Sequence, residues 1–168
     1  PNPGIREETL LQLRETICLA HDLGAGIVVV TAGKQHPLIA PDFAVVWRQA
    51  VEGIRRLLPI CEATGVTFGL ENAWPALPLA QHLAQLVAEF RHEKLRIVYD
   101  VDNAIIAKES PLTGLDTVKD SLALVHLSDT DNETWGHNPV GTGLVDFGAI
   151  AATLKAIGYT GVSILEIV

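Results

Sequence analysis

The chain has 168 residues, 48% of them hydrophobic, enough to bury a core and within the size of a single domain spanning residues 1–168. Asp and Glu total 20 against 12 Lys and Arg, and the formal net charge of -8 argues against a nucleic-acid partner and for a small-molecule one. No run reaches the roughly 18 apolar residues of a membrane span and no apolar leader opens the sequence, so a cytoplasmic protein without membrane contact is the expectation.

Residues 6–23 are predicted to be helical, with Leu10, Leu11, Leu13, Ile17, Cys18 and Leu19 on the apolar face and Gly24 as the stop. A strand follows at 27–31. Asp42 is placed to cap a long helix running to about residue 63, in which Val45, Val46, Ala50, Ile54, Leu57 and Leu58 recur at helical spacing. Pro59 is expected to kink or break its last turns, and Gly65 to end it. Next come a strand at 66–71, a helix over 79–90, a strand at 95–100, a short helix near 115–121 and a strand at 122–127. The connection over 128–145, with Gly136, Pro139, Gly141 and Gly143, is too long for a plain turn and reads as a functional loop. Asp146 caps a helix to about residue 157, Gly158 stops it, and a strand occupies 162–167. Cys18 and Cys61, far apart within helical patterns and without CxxC spacing, read as buried free thiols.

Strands alternating with helices imply right-handed parallel crossovers, hence an α/β fold: a doubly wound sheet or a barrel. Five βα units of a roughly 250-residue (β/α)8 TIM barrel amount to about 156 residues, close to this length. The sequence opens on a helix and halts in a strand, so three strands before Pro1 and a helix after Val168 are expected. Strands this rich in Val, Ile, Leu and aromatics should be buried on both faces. Yet four of them end in residues able to bind a metal: Glu71, Asp100, His126 and Glu166. In a closed parallel barrel all carboxyl ends meet on one face, where convergent acids would repel unless a divalent cation were present.

The segments 21–30, 70–72 (Leu-Glu-Asn), 99–100 (Tyr-Asp), 126–129 (His-Leu-Ser-Asp), 141–147 (Gly-Thr-Gly-Leu-Val-Asp-Phe) and 158–166 together resemble the xylose-isomerase-like barrel superfamily of sugar isomerases and epimerases, inosose dehydratases and abasic-site endonucleases. The resemblance covers essentially the whole chain and implies strands four to eight of that barrel. It also implies that Glu71, Asp100, His126 and Glu166 share one divalent metal. Manganese is the first choice, with magnesium, cobalt and zinc also suited to hard oxygen donors plus one imidazole. Many relatives carry a histidine where Asn103 stands, and those with multinuclear zinc clusters carry an Asp where Trp135 stands. Both departures argue against an endonuclease.

Candidate substrate contacts are Asn103, His137 in the long loop, His36 after the first strand, and Trp74 three positions beyond Glu71. Lys34 and Lys108 are near the same face, leaving phosphorylated and free substrates both open. Asp102 and Asp129 either orient ligands or are solvated loop carboxylates. His21, His82 and His92 read as surface residues. The resemblance implies a metal-dependent isomerase or epimerase acting on a ketose or keto-polyol through an enediolate, with Glu71 and Glu166 as base and acid. Alternatives are an inosose-type dehydratase on the same metal site and a noncatalytic sugar-binding barrel. Assembly into a homo-oligomer is left open.

Overall fold

A computed structural model describes residues 2–33, 42–131 and 133–167. His36 and Lys34 lie outside the described residues. Five strands, β1 (Ile27–Thr31), β2 (Thr67–Glu71), β3 (Leu95–Asp100), β4 (Leu122–Leu127) and β5 (Val162–Leu165), form one sheet in sequence order, with every neighbouring pair parallel. The helices are α1 (Pro3–Asp22), α2 (Phe43–Thr64), α3 (Ala80–Phe90), α4 (Val101–Ile106), α5 (Pro111–Val118) and α6 (Phe147–Ala156). This is the expected α/β architecture, five parallel strands of a TIM barrel with the helices that connect them. Among the described residues no helix is long and apolar enough to cross a membrane.

Strand alternation sorts the side chains into two layers. Phe68, Leu70, Leu95, Ile97, Tyr99 and Val125 join the cluster formed with Leu10 and Ile17 of α1, Ile54, Leu57 and Cys61 of α2, Leu83 and Leu86 of α3, Leu115 of α5 and Ile150 of α6. Val98 and Leu124 are buried too, yet lie outside that cluster on the opposite, concave face. A Cβ on Gly69 would meet Val98 at 2.7 Å and Ile27 at 2.9 Å, so the inner layer closes over a position without a side chain. Glu71, Asp100 and His126 sit two residues beyond Gly69, Val98 and Leu124 and therefore share the inner face.

Several local expectations are corrected. The first helix begins at Pro3, because Asn2 Oδ1 accepts the Gly4 N–H at 2.8 Å and proline suits the opening turn. Pro59 does not break α2, which runs through it to Thr64. Pro59 and Arg55, whose carbonyl loses its helical partner, are both exposed. Gly65 ends the helix in a left-handed conformation, as expected. Cys18 is exposed while Cys61 is buried. The strands are not all buried on both faces: β5 is exposed throughout and β1 is mostly half-buried, since each has a single neighbour among the described strands. His82 is half-buried against Phe43, with ring centroids 4.9 Å apart, rather than simply at the surface.

Between β3 and β4 the sequence pattern indicated one helix near 115–121. Two helices are present, α4 immediately after Asp100 and α5 ending earlier, at Val118, followed by a 3-10 turn at Lys119–Ser121. Glu109, in the link between them, accepts the Tyr99 hydroxyl at 2.9 Å and the Ala80 N–H at 3.0 Å. It thereby caps α3, whose own N-cap residue, Leu79, makes no side-chain capping bond. Burial, and then the Glu109 charge, hold the Tyr99 phenol well above its ordinary range.

This packing makes two glycines respond oppositely. A Cβ on Gly114 would fall on the Tyr99 hydroxyl, whereas on Gly53, inside α2, it would meet only Leu10 Cδ2 at 3.5 Å. Gly114→Ala is expected to lower denaturant stability by about 1–3 kcal/mol, and Gly53→Ala to leave it unchanged or raise it by up to ~1 kcal/mol. Equal effects at the two positions would contradict the packing described.

Candidate metal centre

The strand register brings the four strand-end residues together. One donor atom from each of Glu71, Asp100, His126 and Glu166 lies within 4.8 Å of all the others. Asp100 and His126 are register partners at the ends of β3 and β4. Glu71 pairs with Val98, and Glu166 follows β5, so these two reach in from either side of the β3–β4 pair. Glu71, Asp100 and His126 are buried, and Glu166 is half-exposed.

The distances centre on one nitrogen. His126 Nδ1 is 2.9 Å from Glu71 Oε1, 2.7 Å from Glu166 Oε2 and 3.9 Å from Asp100 Oδ2. Only the Glu71 contact has hydrogen-bond geometry; Asp100 Oδ2 and Glu166 Oε2 are buried without a hydrogen-bond partner. Two donors each about 2.1 Å from a common cation at right angles would be roughly 3 Å apart, the spacing of the closest contacts here. The orphaned oxygens and the donor set of three carboxylates and one imidazole therefore fit a divalent cation.

Burial, reinforced by Glu71 and Glu166, pushes the Asp100 carboxyl up to about 8, against the opposing pull of the Asn103 N–H and His126. For His126, burial works against protonation, but the hydrogen bond to Glu71 and the charges of Glu71, Glu166 and Asp100 outweigh it and hold the imidazole above its ordinary range.

Neighbouring polar groups fix these side chains. Asn72 donates from Nδ2 to the Asp100 carbonyl at 2.9 Å and accepts the Asp100 N–H on Oδ1 at 2.7 Å, tying the end of β2 to that of β3. Asp100 Oδ1 accepts the Asn103 N–H at 2.6 Å and so starts α4. Asn72 carried no assigned role in the sequence. Its signal was an amide directly after a strand-ending ligand, where a buried polar group must find partners.

The long loop after β4 is bound by two carboxylates, and neither is solvated. Asp129 Oδ1 accepts the Thr130 and Val145 N–H groups at 3.0 Å each, and Oδ2 accepts that of Gly141 at 2.8 Å. Burial raises the Asp129 pKa, but the hydrogen bonds from Val145, Gly143, Gly141 and Thr130 outweigh it and leave the group below its ordinary range. Asp129 and Asn138 also exchange backbone hydrogen bonds at 2.8 and 2.9 Å. Asp102, fully buried, accepts the N–H groups of Gly136 and His137 on Oδ2 at 3.4 Å each. A carboxylate ahead of a glycine-rich loop, as in Asp129 before Gly141 and Gly143, is the sequence signal for such a hub.

His137 is brought beside the cluster. It is buried with φ +41°, its Nδ1 lying 3.0 Å from Ser128 Oγ, 3.8 Å from Asp100 Oδ2 and 4.0 Å from Glu166 Oε2. Asn103 is buried in α4, and its Oδ1 accepts the Trp135 indole N–H at 3.0 Å. Trp74 is 64% exposed on the loop after β2.

Residues 1–168 match the family model described as a xylose isomerase-like TIM barrel. Fructoselysine 3-epimerase of Shigella flexneri is 23% identical over 168 residues, covering 98% of this chain and 60% of its own length. The chain spans 58–60% of the length of the curated relatives it matches. A D-tagatose 3-epimerase-like protein superposes with a TM-score of 0.88 at 24% identity, over 99% of this chain and 64% of that one. The IOLI protein, whose structure has a zinc atom bound, superposes with a TM-score of 0.84 at 18% identity, over 97% and 61% of the two chains.

Because Asp100 and His126 hold protons more tightly in the folded than in the unfolded chain, the stability they contribute is present at acid pH and is lost as pH rises through their folded values. Thermal unfolding of the metal-free protein should therefore show a midpoint that falls from about pH 4 through the Asp100 value of about 8, with the His126 share of the fall beginning above pH 6.5. Asp100→Asn should flatten most of that fall, leaving the part above pH 6.5 that belongs to His126. A variant with the full wild-type slope would refute the account of Asp100.

Proposed function

The chain belongs to the xylose isomerase-like TIM barrel family, and within it we propose a divalent-metal-dependent isomerase or epimerase that moves a proton beside the carbonyl of a ketose or keto-polyol. The observation that carries this reading is the convergence of the donor atoms of Glu71, Asp100, His126 and Glu166 within 4.8 Å. These four residues would hold the ion, manganese being our first choice ahead of magnesium, cobalt or zinc. Such an ion, when bound, polarises a substrate carbonyl and offsets the negative charge that develops on it. Fructoselysine 3-epimerase and the D-tagatose 3-epimerase-like protein support the substrate class, and the zinc of the IOLI protein supports a metal.

The proton is handled by the two glutamates. Glu71 and Glu166 approach the mouth from opposite sides of the β3–β4 pair. With the substrate between them, one carboxylate accepts the proton from the carbon beside the carbonyl, and the C–H electron pair moves into the enediolate. The other, protonated beforehand, returns a proton to the opposite face and leaves an epimer. One carboxylate serving both steps on a single face gives aldose–ketose isomerisation. Asn103, His137, Trp74 and His36 are the proposed substrate contacts. The reading takes residues 1–168 as a single domain, the C-terminal part of such a barrel, acting in the cytoplasm on a small molecule without nucleic acid or membrane.

The test is NMR in deuterium oxide on the manganese-loaded protein with a panel of ketoses, keto-acids and inososes. Deuterium should enter next to the carbonyl, exchange should stop when a chelator removes the metal, and Glu166→Gln should slow it by about 10²-fold or more while the fold persists. Full exchange in Glu166→Gln would remove the proposed role of Glu166. Loss of water from an inosose would instead mark a dehydratase, and binding without exchange a noncatalytic barrel.

A further inference from the structure

Trp135 is 58% exposed, yet its ring is held at two points. Its Nε1–H donates to Asn103 Oδ1 at 3.0 Å, and its ring meets the His137 imidazole edge-on, with centroids 4.7 Å apart and planes at 77°. Both supports are themselves anchored. Asn103 follows Asp100 in α4, which is capped by Asp100 itself, and His137 is pinned through its N–H to Asp102 and through Nδ1 to Ser128. An exposed indole ordinarily keeps its rotameric freedom. This one has been immobilised before any ligand arrives, which lowers the entropy cost of stacking against it.

The indole also orients Asn103. An indole N–H can only donate, so the amide oxygen is the acceptor and Nδ2 is the group left to donate. Asn103 then presents a donor suited to a hydroxyl or ether oxygen. The His137 imidazole links the indole to the cluster, its ring 4.7 Å from that of Trp135 and its Nδ1 3.8 Å from Asp100 Oδ2. The indole thus stands one side chain out from the cluster and at the surface, in a position to receive a substituent carried by a sugar bound there.

We propose that Trp135 and Asn103 form a distal subsite that selects keto-sugars bearing a second hydroxylated ring, the ring's C–H face stacking on the indole and one of its oxygens accepting from Asn103 Nδ2. This rests on the proposed function and deepens it by naming the substrate class. Trp135 is a specificity-determining residue here, with no part in the proton transfer.

The test compares D-fructose with isomaltulose, the same ketose carrying a glucosyl ring at its far end, on the protein loaded with diamagnetic magnesium for the NMR signal and with manganese for exchange. The first readout is binding: the indole N–H signal of Trp135, identified by its absence in Trp135→Phe, should shift with isomaltulose and much less with D-fructose. The second is the ratio of the kcat/KM values for deuterium exchange, isomaltulose over D-fructose. Trp135→Ala should lower that ratio roughly tenfold, the effect falling mainly on KM, and Trp135→Phe, which keeps an aromatic face, should lower it less. An indole signal unmoved by isomaltulose, or a ratio that Trp135→Ala leaves unaltered, would overturn the subsite. A shifted signal without exchange of either sugar would leave the subsite standing and count against the isomerase reading.

Discussion

One ring nitrogen, His126 Nδ1, faces oxygens of Glu71 at 2.9 Å, Glu166 at 2.7 Å and Asp100 at 3.9 Å, and it carries at most one proton. Three acids around one donor make a site that protein groups alone do not satisfy. Stability would be better served by apolar residues at these strand ends. The surroundings show how the arrangement is kept: Asn72 locks the Asp100 backbone from β2, and Asp100 starts α4 with the oxygen that does not face the cluster. The charged group is thus also a local structural device, which fixes its rotamer and leaves Oδ2 directed at its neighbours.

The loop over 128–145 follows the same logic at a second level. Two buried carboxylates, Asp129 and Asp102, collect backbone N–H groups from across it, so a segment with little regular secondary structure is held by charge-assisted hydrogen bonds. A Cβ on Gly143 would collide with Asp129 and the Thr130 carbonyl, so the close approach requires glycine there. This anchoring delivers His137 to the side of the cluster with φ +41°, a conformation that a non-glycine residue keeps only where its surroundings insist on it.

Curvature and register complete the mouth. Neighbouring strands are about 4.8 Å apart, so the ends of β2 and β5 lie roughly 14 Å from each other along the sheet. The donors of Glu71 and Glu166 nevertheless come within 4.8 Å of each other. The reach of the two glutamate side chains and the curling of the sheet together close that gap. The inner layer of Gly69, Val98 and Leu124 supports the floor of the concave side, and the helices hold the other face through Phe68, Leu70, Ile97 and Tyr99.

The sequence by itself determined the parallel α/β alternation, most element boundaries and the four converging side chains. These depend on local rules: a period of two along a strand, a cap at Asp42 or Asp146, a stop at Gly65 or Gly158. Strands that are parallel and in sequence order must bring their carboxyl ends to one face, so Glu71, Asp100, His126 and Glu166 could be grouped without coordinates. Other features needed the tertiary structure because they join residues distant in the chain. Glu109 capping α3 at Ala80, Asn72 gripping Asp100 and Trp135 donating to Asn103 are side-chain bonds across 28–32 positions, to which no periodicity points. The same holds for Pro59, which α2 tolerates because the carbonyl it orphans lies on the exposed face, and for Cys18, placed outward while Cys61 is buried. Helical spacing marks an apolar stripe but not how far the neighbouring helix covers it; that is decided only when the elements pack.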